Sequence, residues 1–312
     1  MNKFKKIGLT ALAGSLVATS AFAGGLSATG AASIGVANIT GSADPSTGKD
    51  WSMANSVTLA GSGELDNGMT VSVSFELDAG VDTGTGTGPF DSHSVSVSSD
   101  AMGTLKFSGH GGSSAQSAMD GTAAGDIWNN TLGITGISAA ASGDDSLFYT
   151  LPEVMDGLAI TASMSPGRAA QETHTSYGLV YTGYDGLTLK YGSGDSGAPG
   201  SEIESTTMMA SYAIGSLTVG VSQTEADKTG AANETIDSFQ IAYTVTDDIS
   251  VTYGNETIDL TGNATDEEVE AIGVSYTSGG MTISANQYEA KGAGNSASAK
   301  SDKWSLSAAF AF

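Results

Sequence analysis

Apolar and polar residues alternate with a period of two along most of this chain. Residues 69–77 read Met-Thr-Val-Ser-Val-Ser-Phe-Glu-Leu, and Leu217–Val221, Ile249–Tyr253 and Met281–Ala285 repeat the arrangement. The final segment sets Trp304, Leu306, Ala308, Phe310 and Phe312 in one phase and serine or alanine in the other. Such alternation marks strands of a sheet with one apolar and one polar face. Helical periodicity is nearly absent, so the pattern predicts an all-β chain.

The connections between these strands fall into two kinds. Tight turn signals stand at Asp66-Asn67-Gly68, Asp100-Ala101-Met102-Gly103, Asp156-Gly157, Asp185-Gly186, Ile214-Gly215, Asp247-Asp248 and Gly279-Gly280. Asn-Gly and Asp-Gly supply the positive φ that two-residue hairpins need. Longer Gly/Asp/Thr-rich connections lie near 41–50, 80–91, 111–143, 166–173, 193–204, 226–235, 258–267 and 290–302. Short and long alternate strictly, which predicts sixteen strands. A soluble sandwich has no reason to keep its two rims different. Outer-membrane barrels do, with an even strand number, short periplasmic turns and long external loops. Closure also pairs every backbone N–H and C=O, as hydrocarbon demands. The expectation is a 16-stranded antiparallel transmembrane β-barrel, apolar face to lipid and Ser/Thr/Gly face to the lumen.

The start of the chain is different. Residues 1–23 have a basic beginning, Lys3, Lys5 and Lys6, then an apolar run from Ile7 to Ala18, then Ala21-Phe22-Ala23. These are the parts of a secretory signal peptide, and the apolar run is too short to span a bilayer as a helix. The expected organisation is a leader over 1–23 and one barrel domain over 24–312.

Composition narrows the function. The chain has 34 acidic and 11 basic side chains in 312 residues and a net charge of −23. Nucleic-acid binding needs clustered Lys and Arg, so that class is set aside. Cysteine is absent, which removes disulfides, thiolate metal sites and cysteine nucleophiles.

The leader, the sixteen-strand pattern, one outsized third loop and the terminal Phe312 on an alternating strand resemble a Gram-negative general porin. The acidic, Lys/Arg-poor composition resembles the α-proteobacterial branch. That resemblance implies a water-filled outer-membrane channel for passive diffusion of small hydrophilic solutes and ions. It implies a homotrimer, and delivery to the barrel assembly machinery through the C-terminal strand with Trp304, Phe310 and Phe312. It also implies that the third loop, about thirty residues where its neighbours have about ten, folds inward and narrows the pore. Loop carboxylates Asp120 and Asp126 would then face Lys106, Lys190 and Arg168 on the wall, with Asp144 and Asp145 also in the constriction, Glu76 in the same lumen-facing phase and Trp128 anchoring the loop. With Arg168 the one arginine, the constriction is expected to be net negative. A mouth lined by one sign of charge favours counter-ions, hence an expected weak cation preference.

Acidic clusters raise the question of metals. Asp266, Glu267, Glu268 and Glu270 form an oxygen-rich group of the kind that takes Ca²⁺ or Mg²⁺, although no EF-hand spacing is present. Segments that look catalytic lack the partners catalysis needs. Gly194-Asp195-Ser196-Gly197 resembles a serine-protease motif, but His93, His110 and His174 sit in none of its contexts. Asp82-Thr83-Gly84 has no second copy, and Gly84–Gly88 leads into no helix. No enzyme is expected. Two alternatives stay open at this point: a substrate-selective outer-membrane channel, and a secreted acidic Ca²⁺-dependent β adhesin or surface protein.

Overall fold

A computed structural model describes residues 26–41, 48–78, 90–130, 132–167 and 172–312; the leader 1–23 and Arg168 lie outside them. Within the described residues sixteen strands follow one another: β1 Ser27–Gly41, β2 Gly48–Glu64, β3 Thr70–Asp78, β4 Ser92–Ser99, β5 Gly103–His110, β6 Ser146–Thr150, β7 Leu158–Ser165 and β8 His174–Tyr181. The second half holds β9 Leu187–Ser196, β10 Ile203–Ile214, β11 Leu217–Lys228, β12 Glu234–Thr246, β13 Ile249–Leu260, β14 Glu267–Ser278, β15 Met281–Lys291 and β16 Lys300–Ala311. Each pairs antiparallel with its sequence neighbours, and β1 pairs with β16, so the sheet closes into a barrel. Among the described residues no helix is long and apolar enough to cross a membrane, which says nothing of a β-barrel.

The seven tight turns form where the sequence places them. Gly186 shows why they need glycine: its φ is +74°, and a Cβ there would stand 2.3 Å from the Ala213 carbonyl oxygen. Closure depends on the last residue. Gly30 N donates to Phe312 O at 2.7 Å and Phe312 N to Gly30 O at 3.0 Å. The Phe312 ring takes the space that a side chain at Gly30 would occupy, 2.4 Å from its ideal Cβ.

Outward positions carry the apolar band. Tyr212, Tyr243, Tyr276 and Phe310 are exposed toward one rim, with Trp304, Tyr191 and Tyr253 nearer the other. Two outward aromatic girdles bordering an apolar band are the pattern of transmembrane barrels.

Two features depart from the simple apolar-out, polar-in scheme. The connections after β11 and β13 are shorter than expected, 229–233 and 261–266 rather than 226–235 and 258–267. The strands continue beyond the apolar band with their polarity inverted. Glu225, Asp227, Asp259, Glu268 and Glu270 point outward in register there, while Ala226, Ile236, Ile258, Val269 and Ala290 on the lumen face are at most 1 % exposed. Polar residues read as loop, but they occupy strand because the inside of the barrel is filled at this level. The filling is the third external connection, 111–145. Its Ala124, Ile127 and Leu132 form a buried cluster with Val269 and Ala290, flanked by Trp128, Ile134, Ala271 and Tyr288.

Candidate functional site: the lumen and its inward loop

The loop leaves β5 and returns to β6 through a closed root. Gly112 N donates to Gly143 O at 3.1 Å and Gly143 N to Gly112 O at 2.8 Å, while His110 Nδ1 meets Asp144 Oδ1 at 2.5 Å. From this root the chain runs along the inner wall instead of out into water. Water-loving backbone can lie there only if the wall supplies hydrogen-bond partners, and the wall does so strand by strand.

Hydroxyls hold the first leg. Ala115 N donates to Ser176 Oγ of β8 at 2.8 Å and to Ser163 Oγ of β7 at 2.9 Å. Ala123 N donates to Ser222 Oγ of β11 at 2.8 Å, and Ala124 N to Ser238 Oγ of β12 at 2.9 Å. Gln116, fully buried, joins three pieces: its Nε2 donates to Thr207 Oγ1 of β10 at 3.0 Å, and its Oε1 accepts Ala140 N of the returning leg at 2.8 Å. The loop approaches this closely because Gly192 offers no side chain; a Cβ there would stand 3.1 Å from Gln116 Cα.

Carboxylates hold the rest. Glu256 of β13 accepts Trp128 N at 2.7 Å on one oxygen and Thr122 Oγ1 on the other. Glu267 of β14 accepts Thr135 N and, at 3.0 Å, Thr135 Oγ1. Glu234 of β12 accepts Ser138 N at 2.9 Å, and its second oxygen pairs with Lys228 Nζ. All three are buried, 0–6 % exposed. Burial of a carboxylate is tolerated when charge-assisted hydrogen bonds fill its oxygens, and here both oxygens of each are engaged. At the far side Lys303 Nζ of β16 donates to Asn130 O at 3.0 Å. The loop thus clads the wall from β7 round to β16.

The opposite wall stays bare. Ser72, Ser74, Ser94 and Ser96 line a hollow on the lumen side of β3 and β4, away from the strands that tether the middle of the loop. Glu76 is on this bare side in the lumen-facing phase, where Ser92 Oγ donates to it at 3.2 Å; Lys106, in the same phase, is at the border, lining a cavity with Ser96 and with Ser113 and Ala118 of the loop. Lys190 also faces inward, one step along β9 from Gly192 in the same phase as it.

The expected eyelet is redrawn in three respects. Asp144 is at the loop root against β5 rather than across the pore. Asp126 turns back on its own loop, accepting Thr122 N at 3.0 Å, with a φ of +55°. Asp145 likewise adopts a turn conformation, with φ +55°. Asp120 is half-buried, and its carboxyl pKa is pushed up to about 6, first by burial and then by the neighbouring charge of Asp126. The expected metal group is also divided: Glu267 points inward to the loop, while Glu268 and Glu270 point outward. Among the described residues no group of three or more His, Asp or Glu is arranged to hold a metal ion.

Glu234, Glu256, Glu267 as a tether, Gln116 and Lys303 are functional residues that no sequence motif singles out. A signal for the three glutamates is nonetheless present: each shares its phase with buried apolar residues, as in Glu234-x-Ile236, Glu256-x-Ile258 and Glu267-x-Val269.

A family model for Gram-negative porins matches residues 8–312. Comparison with curated proteins gives no match. Among solved structures, the anion-selective porin from Comamonas acidovorans superposes with a TM-score of 0.69 at 15 % identity, covering 92 % of this chain and 99 % of that one. OmpT of Vibrio cholerae, an outer membrane protein, gives 0.68 at 14 % identity over 92 % and 97 %. A substituted porin of Rh. blastica gives 0.66 at 15 % over 92 % and 100 %.

Proposed function

Because the chain belongs to the Gram-negative porin family, a multi-pass channel of the outer membrane, we propose that it passes small hydrophilic solutes and ions by diffusion, without catalysis and with a weak preference for cations. The observation that carries this reading is the division of the lumen: a loop clads one wall and leaves the serine-lined face of β3 and β4 open to water. Polar, uncharged hydroxyls on that wall suit transit rather than capture.

The charge argument rests on which groups are free. Lys228 is paired with the Glu234 carboxylate, which cancels its charge, whereas Lys303 donates to the neutral Asn130 carbonyl and keeps its positive charge at the loop's far end. Glu234, Glu256 and Glu267 are turned under the loop. Asp120 and Glu76 then stand against Lys106 and Lys190, with further carboxylates at the mouth, and such a mouth concentrates cations. Anion selectivity is a property of the Comamonas porin and stays with that protein; identity of 15 % carries the fold alone.

Reversal potentials of single channels across a KCl gradient test the proposal. A bias toward K⁺ supports it; a bias toward Cl⁻ overturns the charge argument and leaves the channel. A homotrimer forms part of the same reading. The outward side of β1 is small (Ala28, Gly30, Ala32), and next to it Trp51 and Met53 on β2 are each 74 % exposed in the isolated chain. Light scattering of the detergent-solubilised protein decides it, a monomer mass being the adverse result.

A further inference from the structure

Beneath the loop's far end the lumen wall is recessed. The recess has a volume of about 160 Å³. Its roof is the third loop, from Ala124 to Asn130, and its floor is the inner face of β12–β15. Two glycines give it depth. At Gly254 the loop rests on bare backbone, for a Cβ there would stand 2.8 Å from Ala124 Cβ. At Gly273, Asn286 Oδ1 and Thr252 Oγ1 lie across the position a side chain would take, 2.5 and 2.8 Å from its ideal Cβ.

The lining has a particular chemistry. Gln240, Thr252 and Asn286 are half-buried and point into the recess, and among the described residues none of their side chains has a hydrogen-bond partner. Together they offer amide donors, amide acceptors and a hydroxyl that can do either. Tyr288 adds an aromatic ring, its phenol hydrogen-bonded to the Ser305 side chain. No charged side chain lines the recess; the Lys303 ammonium stands outside the lining, donating to Asn130 O at 3.0 Å and lying 5.8 Å from the centre of the Tyr288 ring.

Size and chemistry together define a ligand. A cavity of about 150 Å³ accommodates a six-membered ring such as benzene when its lining is apolar. With a similar volume, and a lining of unspent amides and a hydroxyl, the recess is too small to enclose a hydroxylated six-membered ring but takes one hydroxyl-bearing edge of it, the rest of the ring projecting into the passage. The aromatic face of Tyr288 suits the C–H side of such a ring, and the amides suit its hydroxyl edge. A metal ion lacks its anionic oxygen ligands here, and an anion lacks a cation in the lining.

We propose that this recess is a binding niche for an uncharged pyranose-sized sugar, so that the channel holds such solutes briefly on their way through. The proposal rests on the reading of the lumen as a conducting channel. Affinity is weak, on the order of millimolar, as befits a handful of hydrogen bonds made in competition with water. The niche lies on the loop-clad side, so a bound sugar narrows the passage without touching the bare wall.

The experiment is single-channel recording in KCl with glucose added, beside a polyethylene glycol of matched hydrodynamic radius. Wild-type channels should show glucose-dependent current noise that saturates, while the polymer lowers conductance in proportion to its concentration. In Gln240→Ala/Asn286→Ala the half-saturating glucose concentration should rise at least tenfold, with unchanged conductance in salt alone. Tyr288→Phe, which keeps the ring and its packing, should weaken glucose less than the double variant and serves if that variant fails to fold. Glucose noise that never saturates in wild type, or that saturates equally in every folded variant, overturns the niche while leaving the channel. Folded protein that passes neither salt nor glucose overturns the channel reading and the niche with it.

Discussion

The two halves of the barrel wall solve different problems with the same alternation of residues. On β3 and β4 the lumen face is serine open to water: Ser72, Ser74, Ser94 and Ser96 need no partner beyond solvent. From β7 to β14 much of the same phase is covered by the loop, and there it carries residues that water does not reach. Ser176, Thr207 and Ser222 there accept or pass on hydrogen bonds to a loop, and Glu234, Glu256 and Glu267 place charge where burial would otherwise forbid it. Identical strand geometry thus yields a passive surface on one side and a scaffold on the other. The difference lies in what covers each wall, and cover decides what a substitution does.

The strongest test of that difference is a cavity in the clad half. Leu132 is completely buried between loop and wall. Leu132→Ala should lower stability by about 2–5 kcal/mol, read as thermal unfolding in detergent, and should raise conductance as the loop loosens. Unchanged conductance in the folded variant would mean that the loop is held by its hydrogen bonds alone. Glu256→Gln comes next. The amide oxygen still accepts Trp128 N, but the amide NH₂ then faces the Thr122 hydroxyl, which loses its carboxylate acceptor, for about 1–3 kcal/mol. It should alter conductance with little change in reversal potential, since this charge does not face the passage. A large shift in ion preference would show that Glu256 is felt in the pore. On the bare wall Ser96→Ala should stay within about 0.5 kcal/mol and leave conductance as it was. An effect as large as that of Glu256→Gln would erase the contrast between the walls.

These walls are not equally legible from sequence. Strand number, rim asymmetry, the tight turns and the aromatic closing strand all follow from local patterns, and the barrel matches them. Lys106, Lys190 and Glu76 fall in the lumen phase by counting alternate residues, and they are there. Partners of the loop cannot be read the same way. Glu267 is adjacent to Glu268 in sequence, yet one is under the loop and the other on the outer surface, because a strand sends neighbours to opposite faces. Taken as a run, Asp266 to Glu270 looks like a single oxygen cluster; taken in phase, it separates. The tether partners are distant in sequence, 128 residues between Trp128 and Glu256, and no local period records such a meeting. Inverted polarity at the tops of β11–β15 has the same cause: its reason is a loop that only the folded chain brings there.

The smallest effect concerns Asp120, where the loop meets the passage. Its carboxyl takes up a proton near pH 6 because burial and Asp126 both disfavour the anion. In an unfolded chain the same group releases its proton near pH 4. Between those values the folded protein binds more protons than the unfolded one, so stability declines as pH rises from about 4 to about 6 and levels off above. Selectivity moves the other way, for ionised Asp120 adds a negative charge to the lumen. Cation preference should therefore grow modestly from about pH 5 to about pH 7.5, on either side of that titration, in reversal potentials taken on one set of channels. Asp120→Asn, uncharged at every pH, should flatten that rise and remove its share of the stability decline. A titration that persists unchanged in Asp120→Asn would assign the effect to other carboxylates, with Glu76 on the bare wall the next to replace. That outcome would move the charge controlling ion preference from the loop to the opposite wall, making the serine-lined side the one that selects and the clad side merely the one that narrows.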